Sequence, residues 1–539
     1  MPDFKEATSR IGAVAANPYP AAQAGVRVLE MGGNAMDAAS AASMACCMLQ
    51  PHSTGVGGYV CCAVVLEGNT GRVWSVDANS IAPAAAHERM YEILPKRPNG
   101  DSHNEYEYEC RVKDDANIYG PLSVGPPGMM AGMGILWERW GKLEWRDIVQ
   151  PSLELITDGI AYDTTAGAIK NLEQEIRRFP ATAEHLMPTG ALPKPDDIWH
   201  RRDMDKTLER VAKAGWRDFY DGEIGHKIAD SIQDAGGVLT REDMASFEPR
   251  VTAPNSVSFR DAEIYGPILT NGCISSLQIL NMLDCLEPIL EDSPAYWHRY
   301  AEVLKLAWRD RLRHLGDPAF VDVPIERLLS KDYAAGRVET LKQFPESIDR
   351  QIPSTPTEGS YGTLHVSTAD SEGNVVSITI SQGGSFGSCF TVPGTGIILG
   401  HGMFRLDPRP GRANSVGPGK RPLNNTAAML VRQPGRDIAI GLPGGRKIIS
   451  VMPRAVELMV ERQFSGRQAA EAPRMHTEAS EPIQITESAG ADIIEALIEI
   501  GHEMKPMKNI AGAMNCAEIL RKERLIRAGG TGFAAGAGE

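Results

Sequence analysis

The chain has no long hydrophobic run. None of its 539 residues belongs to an apolar stretch long enough to span a bilayer. Its start, Met1-Pro-Asp-Phe-Lys-Glu6, lacks the basic segment and apolar core of a secretion leader. These absences predict a cytoplasmic chain with no membrane partner. Cys-x-x-Cys and His-x-x-x-His pairs are missing, so the spacing predicts no metal site. A phosphate-binding loop is missing too: Gly417-Pro-Gly-Lys420 runs into Arg421, and the first glycine of such a loop is absent. The Gly-x-Gly of the tail, Gly529 to Glu539, neither follows a strand nor opens a helix, and no cofactor is expected. Basic charge is scarce. A formal net charge of -14 argues against nucleic acid or an anionic membrane as partner.

Cysteine is present but not in a disulfide pattern. The nine residues are odd in number, and two adjacent pairs, 46/47 and 61/62, sit in apolar runs. Reduced, buried thiols fit this better than a disulfide framework. The length requires two domains or one large α/β unit. Helices are predicted over 20–31 and 34–49, the first stopped by Gly32-Gly33, and strands over 59–66 and 72–77. Residues 95–117 read as a polar surface loop, and helices dominate from 130 to 350. After Pro356 the chain turns β-rich, with a helix over 491–500, and the glycine-rich tail reads as flexible.

Within the β-rich part, 363–370 and 375–381 form a predicted hairpin around the turn Ser371-Glu-Gly-Asn374. Residues 353–362, rich in turn formers, lead into it and read as exposed. Thr363 therefore stands just after a glycine at a strand start. Such a pair is most often only a strand start. Were the chain cut there, an N-terminal threonine would carry its own base, the freed α-amino group.

Several segments in register resemble the γ-glutamyltranspeptidase family of N-terminal-nucleophile hydrolases. They are GVRVLEMGGNAMDAASAASMACCMLQPHSTGVGG near the start, 218–244, 301–337, GTLHVSTADSEGNVVSITIS, VGPGKRPLNN at 416–425 and GLPGGRKI at 441–448. The resemblance covers nearly the whole chain. It implies an α/β fold, an αββα four-layer sandwich, and a proenzyme that cuts its own Gly362–Thr363 bond. The large fragment, 1–362, and the small one, 363–539, would stay together as one unit. Thr363 would then form an acyl-enzyme from a small-molecule amide, released to water or an amine acceptor. Ser381 stands where the family has a second threonine, and its hydroxyl would orient the nucleophile. Gly444 and Gly445 match the paired glycines whose N–H groups form the oxyanion hole. His365 matches a family histidine but reads as structural, as does His52.

The substrate positions depart from the family. Asn79 stands where an arginine grips the glutamyl carboxylate. Arg405 stands where an acid holds the α-amino group, although a two-residue slip would bring in Asp407. Asn424 and Asn425 replace paired serines, and Gly383 replaces an asparagine. A cation at Arg405 repels an ammonium and binds a carboxylate. The expected donor is thus a carboxylated acyl amide without the amino-acid head, as in the oxamate amidohydrolases and glutaryl-cephalosporin acylases that these changes resemble. The alternatives are a true γ-glutamyl hydrolase or transpeptidase, and a non-catalytic member of the fold. A serine hydrolase is a weaker reading: counted from Gly384, the run Gly384-Ser-Phe-Gly387 falls short of the nucleophile-elbow spacing.

Overall fold

Fourteen strands, most of them short and rich in Val, Ile and Ala, build two seven-stranded sheets. The computed structural model describes residues 4–95, 110–343 and 361–538. In chain order the strands are β1 (Glu6–Ser9), β2 (Gly12–Ala16), β3 (Val60–Leu66), β4 (Val73–Asn79), β5 (Arg250–Thr252), β6 (Asn255–Phe259), β7 (Ala262–Gly266), β8 (Tyr361–Asp370), β9 (Val375–Gly384), β10 (Met429–Gln433), β11 (Arg436–Gly441), β12 (Asn515–Leu520), β13 (Leu525–Gly530) and β14 (Phe533–Gly536). One sheet runs β14-β2-β8-β9-β3-β4-β5 and the other β1-β13-β12-β11-β10-β7-β6. Every neighbouring pair is antiparallel.

The sheets face one another across a core of small side chains, among them Ala13, Ala15, Ala369, Ala439, Ala517 and Ala528. Alternation along each strand sends the larger apolar residues outward, where helices cover them. On the first sheet α1 (Tyr19–Glu30), α2 (Ala35–Leu49), α3 (Met129–Trp140) and α4 (Trp145–Thr157) bury Val14, Val366, Ile378 and Ile380. On the second, α5 (Cys273–Asp284), α6 (Pro294–His314) and α7 (Lys447–Glu461) bury Ile264, Val431, Ile438 and Ile440. The result is a four-layer αββα sandwich. Strands from before and after residue 362 alternate within both sheets, so neither part holds a core of its own.

Three expectations are corrected. The glycine-rich tail is not a loose end: β14 pairs with β2, and Ala534 and Ala535 are buried, because small residues suit a strand laid against close-packed neighbours. Gly362 is not exposed but buried within β8. Of the nine cysteines eight are buried, as expected, while Cys285 is exposed. Most of the predicted 95–117 loop and the 353–360 lead-in lie outside the described residues. Among the described residues no helix is long and apolar enough to cross a membrane.

Candidate active site

The β8–β9 hairpin has an irregularity at one bond. Gly362 pairs with Gly383, but Thr363 pairs with Ser381, so the register shifts between Gly362 and Thr363. The extra residue bulges the strand and re-aims the Thr363 side chain. No side chain fits at 362, since a Cβ there would lie 2.2 Å from the Gly384 carbonyl oxygen.

Three hydroxyl and carbonyl groups meet at this bulge. Thr363 Oγ1 is 2.9 Å from Ser381 Oγ. Ser381 Oγ–H donates to the Gly362 carbonyl at 2.5 Å, and the Gly383 N–H donates to Ser381 Oγ at 2.9 Å. A hydroxyl has one proton. With Ser381's proton on the Gly362 carbonyl, the Thr363 hydroxyl is the donor in its contact with Ser381. Protons thus run from Thr363 through Ser381 to the carbonyl of the bond that joins 362 to 363. Both side chains are buried, so water does not compete for them.

Thr363 opens on a cavity of about 380 Å³, which also contains Gly444 and Lys447. Its polar lining includes Asn17, Gln50, Ser53, Asn509 and Asn515, with Lys447 the one Lys or Arg and no carboxylate among the lining residues. Gly444 and Gly445 sit at the N-terminal end of α7, the positive end of its backbone dipole. Gly445 has φ +57°, a conformation glycine adopts without strain.

His365 lies on the Thr363 face of β8, and both its nitrogens are engaged, Nδ1 with Thr379 Oγ1 and Nε2 with Ser367 Oγ, each at 2.9 Å. Burial lowers its pKa to about 3, so it is neutral. His52 is likewise lowered by burial, to about 4, and contacts Thr165 Oγ1. Neither is placed as a proton carrier at Thr363.

The expected substrate residues are not gathered with Thr363. Asn79, Val60, Ser381 and Thr363 form one row across four strands. Three strand spacings put Asn79 roughly 14 Å from Thr363. Its amide donates to Thr270 Oγ1 and the Pro422 carbonyl, both at 2.7 Å. Asn424 donates to Asn271 Oδ1, and Asn425 Oδ1 accepts from Arg311 of α6. These three asparagines belong to a buried polar knot tying β4 to α6, and none lines the cavity. Arg405 is buried, its guanidinium over the Phe404 ring, and does not line the cavity either. Asp407 is held by Arg409 through both carboxylate oxygens.

Two residues of the site have no counterpart among the sequence expectations. Lys447 stands inside GLPGGRKI, and a cation one turn into a helix that begins at the site is a readable signal. His401 offers none. Its Nε2 accepts from the Gly384 N–H at 2.7 Å, and burial, with Arg405 nearby, lowers its pKa to about 3. Gly383, at φ +99°, leaves room for that ring: a Cβ there would meet it at 2.2 Å. Counted from Gly383, the run to Gly387 does meet the Gly-x-Ser-x-Gly spacing. Ser385 lies in a turn between two strands, however, and a nucleophile elbow needs a strand followed by a helix.

Comparison with known proteins places these residues in context. The family described as gamma-glutamyltranspeptidase matches residues 21–533. The acylase ACY 1 proenzyme of Pseudomonas sp. (strain SE83) is 32% identical over 518 residues, covering 95% of this chain and 90% of its own. The glutathione hydrolase proenzyme of Escherichia coli (strain K12) is 30% identical over 492 residues, covering 88% and 82%. The crystal structure of a cephalosporin acylase from Bacillus halodurans superposes with a TM-score of 0.87 at 24% identity, over 100% of this chain and 98% of that one.

Proposed function

The chain belongs to the gamma-glutamyltranspeptidase family, and from that premise we propose that it is a self-processing amidohydrolase or acyltransferase with Thr363 as nucleophile. The observation that carries the reading is the Thr363–Ser381–Gly362 hydrogen-bond chain at a register shift.

Self-cutting follows from that chain. Thr363 Oγ1 attacks the Gly362 carbonyl carbon and passes its proton to Ser381. Ser381 hands its own proton to the carbonyl oxygen. Collapse breaks the C–N bond, the nitrogen takes a proton, and an ester joins Gly362 to Thr363 Oγ1. Water hydrolyses the ester, leaving the Gly362 carboxylate and a free Thr363 amine. α-Amino groups titrate near 7.7–8.0 in model compounds, so this amine serves as a base near neutral pH.

The same hydroxyl then attacks a donor amide, and the oxyanion faces the N–H groups of Gly444 and Gly445. A donor of this kind is worth about 3–4 kcal/mol in comparable sites. The leaving amine departs, and water or a second amine takes the acyl group.

The donor is a carboxylated acyl amide without an α-amino head. Lys447 and the absence of any carboxylate in the cavity lining favour this, because a cation attracts a carboxylate and repels an ammonium. Asn79, Asn424 and Asn425 act as scaffold, and Arg405 acts only if the donor reaches past the cavity. Glutaryl and γ-glutamyl p-nitroanilides, with oxamate, offered to the processed protein test this. Glutaryl turnover above γ-glutamyl turnover is expected; robust turnover of the γ-glutamyl donor alone refutes the donor assignment and returns the chain to ordinary γ-glutamyl transfer.

A further inference from the structure

A second cluster of chemistry-bearing side chains lies outside the cavity at Thr363. α6 places His298 and Glu302 four residues apart, on one helix face. Facing them is His502, just after Gly501, which ends α8 (Ala491–Ile500) at φ +107°. His502 Nε2 is 2.7 Å from His298 Nδ1, and His502 Nδ1 is 2.8 Å from Glu481 Oε1. One ligand atom each from His298, Glu302 and His502 lies within 4.8 Å of the others. Lys305 donates to Glu302 Oε1 and to Glu481 Oε1. The side chains of His502, Glu481 and Lys305 are 0%, 3% and 1% exposed.

We propose that His298, Glu302 and His502 form a binding site for a zinc-type divalent cation. The donor set is two imidazoles and one carboxylate, which suits a borderline-soft ion and leaves a fourth position for water. The second nitrogen of His502 is already fixed by the Glu481 carboxylate. That contact makes Nδ1 the protonated nitrogen and turns the Nε2 lone pair toward the site, the usual support of a metal-bound histidine. Glu481 also has a buried oxygen, Oε2, with no hydrogen-bond partner. The charges agree: two carboxylates against one ammonium leave a net negative site. Two nitrogens on one tetrahedral zinc stand about 3.3 Å apart, so the rings need to part by only about half an ångström. His298 moves its proton from Nδ1 to Nε2 as the ion takes the Nδ1 lone pair.

The ion would fasten α6 to the turn after α8. If the bond before Thr363 is cut, that fastening joins the two fragments. This consequence rests on the catalytic reading; the site itself does not.

The test titrates metal-free full-length protein with zinc ion alone, by calorimetry, in the wild type and in Thr363→Ala. Both are expected to bind one equivalent, whatever the outcome for cutting. His298→Ala and Glu302→Gln, at half-buried positions that tolerate change, should each weaken binding at least tenfold. Glu481→Gln should weaken it about 10–100-fold, as loss of a supporting carboxylate does elsewhere. Absence of binding to the wild type, or binding untouched by His298→Ala and Glu302→Gln, overturns the proposal.

Discussion

Ser381 has three hydrogen-bond partners at one oxygen, and each has a separate consequence. Removing the hydroxyl in Ser381→Ala breaks the proton path from Thr363 and takes the donor from the Gly362 carbonyl. Positioned proton transfer is worth about 10²–10⁴ in rate. Cutting of Ser381→Ala, followed on a denaturing gel, should slow by that order, while Ser381→Thr should still cut. Lys447 makes a different prediction. If it holds the donor carboxylate, Lys447→Met should raise KM for a glutaryl donor about tenfold or more with kcat little changed, since a hydrogen bond to a charged group is worth about 1.5–3 kcal/mol. An unchanged KM would place the carboxylate elsewhere.

At the level of elements, the hairpin β8–β9 and the loop bearing His401 are fitted to one another. Gly383→Asn, which restores the family residue, would drive a side chain into the His401 ring and force φ +99° on a residue with a Cβ. Overpacking alone costs about 1–3 kcal/mol. A thermal melt should show a clear loss of stability, smaller when His401→Gly is made alongside; equal losses would mean the ring is not the obstacle. The hairpin itself is legible in the sequence, because alternation and a Ser-Glu-Gly-Asn turn are local signals. So is the Thr363–Ser381 pairing, given the family register. The cavity is not: Asn17, Lys447 and Asn515 come from three remote segments, and only the stacking of the sheets brings them together. The knot of Asn79, Asn424 and Asn425 illustrates the converse. Family register puts these residues on the substrate, whereas their amides engage backbone and neighbouring side chains of this fold. The tail misleads because glycine marks both flexible chain and close-packed strands. His298, Glu302 and His502 escape a reading by spacing because two hundred residues separate the last from the first.

Over the whole molecule, burial holds a set of histidines neutral. His185, His365, His401 and His476 are lowered to about 3, and His52 to about 4. In the unfolded chain a histidine titrates near 6.5. Between these values the unfolded state binds more protons than the folded one, so stability is full above about pH 6.5 and falls as the pH drops toward 3. Each such histidine removes up to about 1.4 kcal/mol per pH unit in that window. Melting temperatures at pH 7.5, 5.5 and 4.5 should therefore decline, and more gently in His365→Asn; a flat profile would contradict neutral burial. The interleaving of strands across residue 362 has its own consequence: cut fragments should stay together in native gel filtration and part only on denaturation. The central claim, that Thr363 becomes an N-terminus and attacks the substrate, is tested most directly by N-terminal sequencing and intact mass of the smaller fragment, with Thr363→Ala alongside. The account predicts a fragment beginning at Thr363 and a single uncut, inactive chain for the variant. A fragment beginning at another residue, or full amide hydrolysis by an uncut wild-type chain, would contradict it.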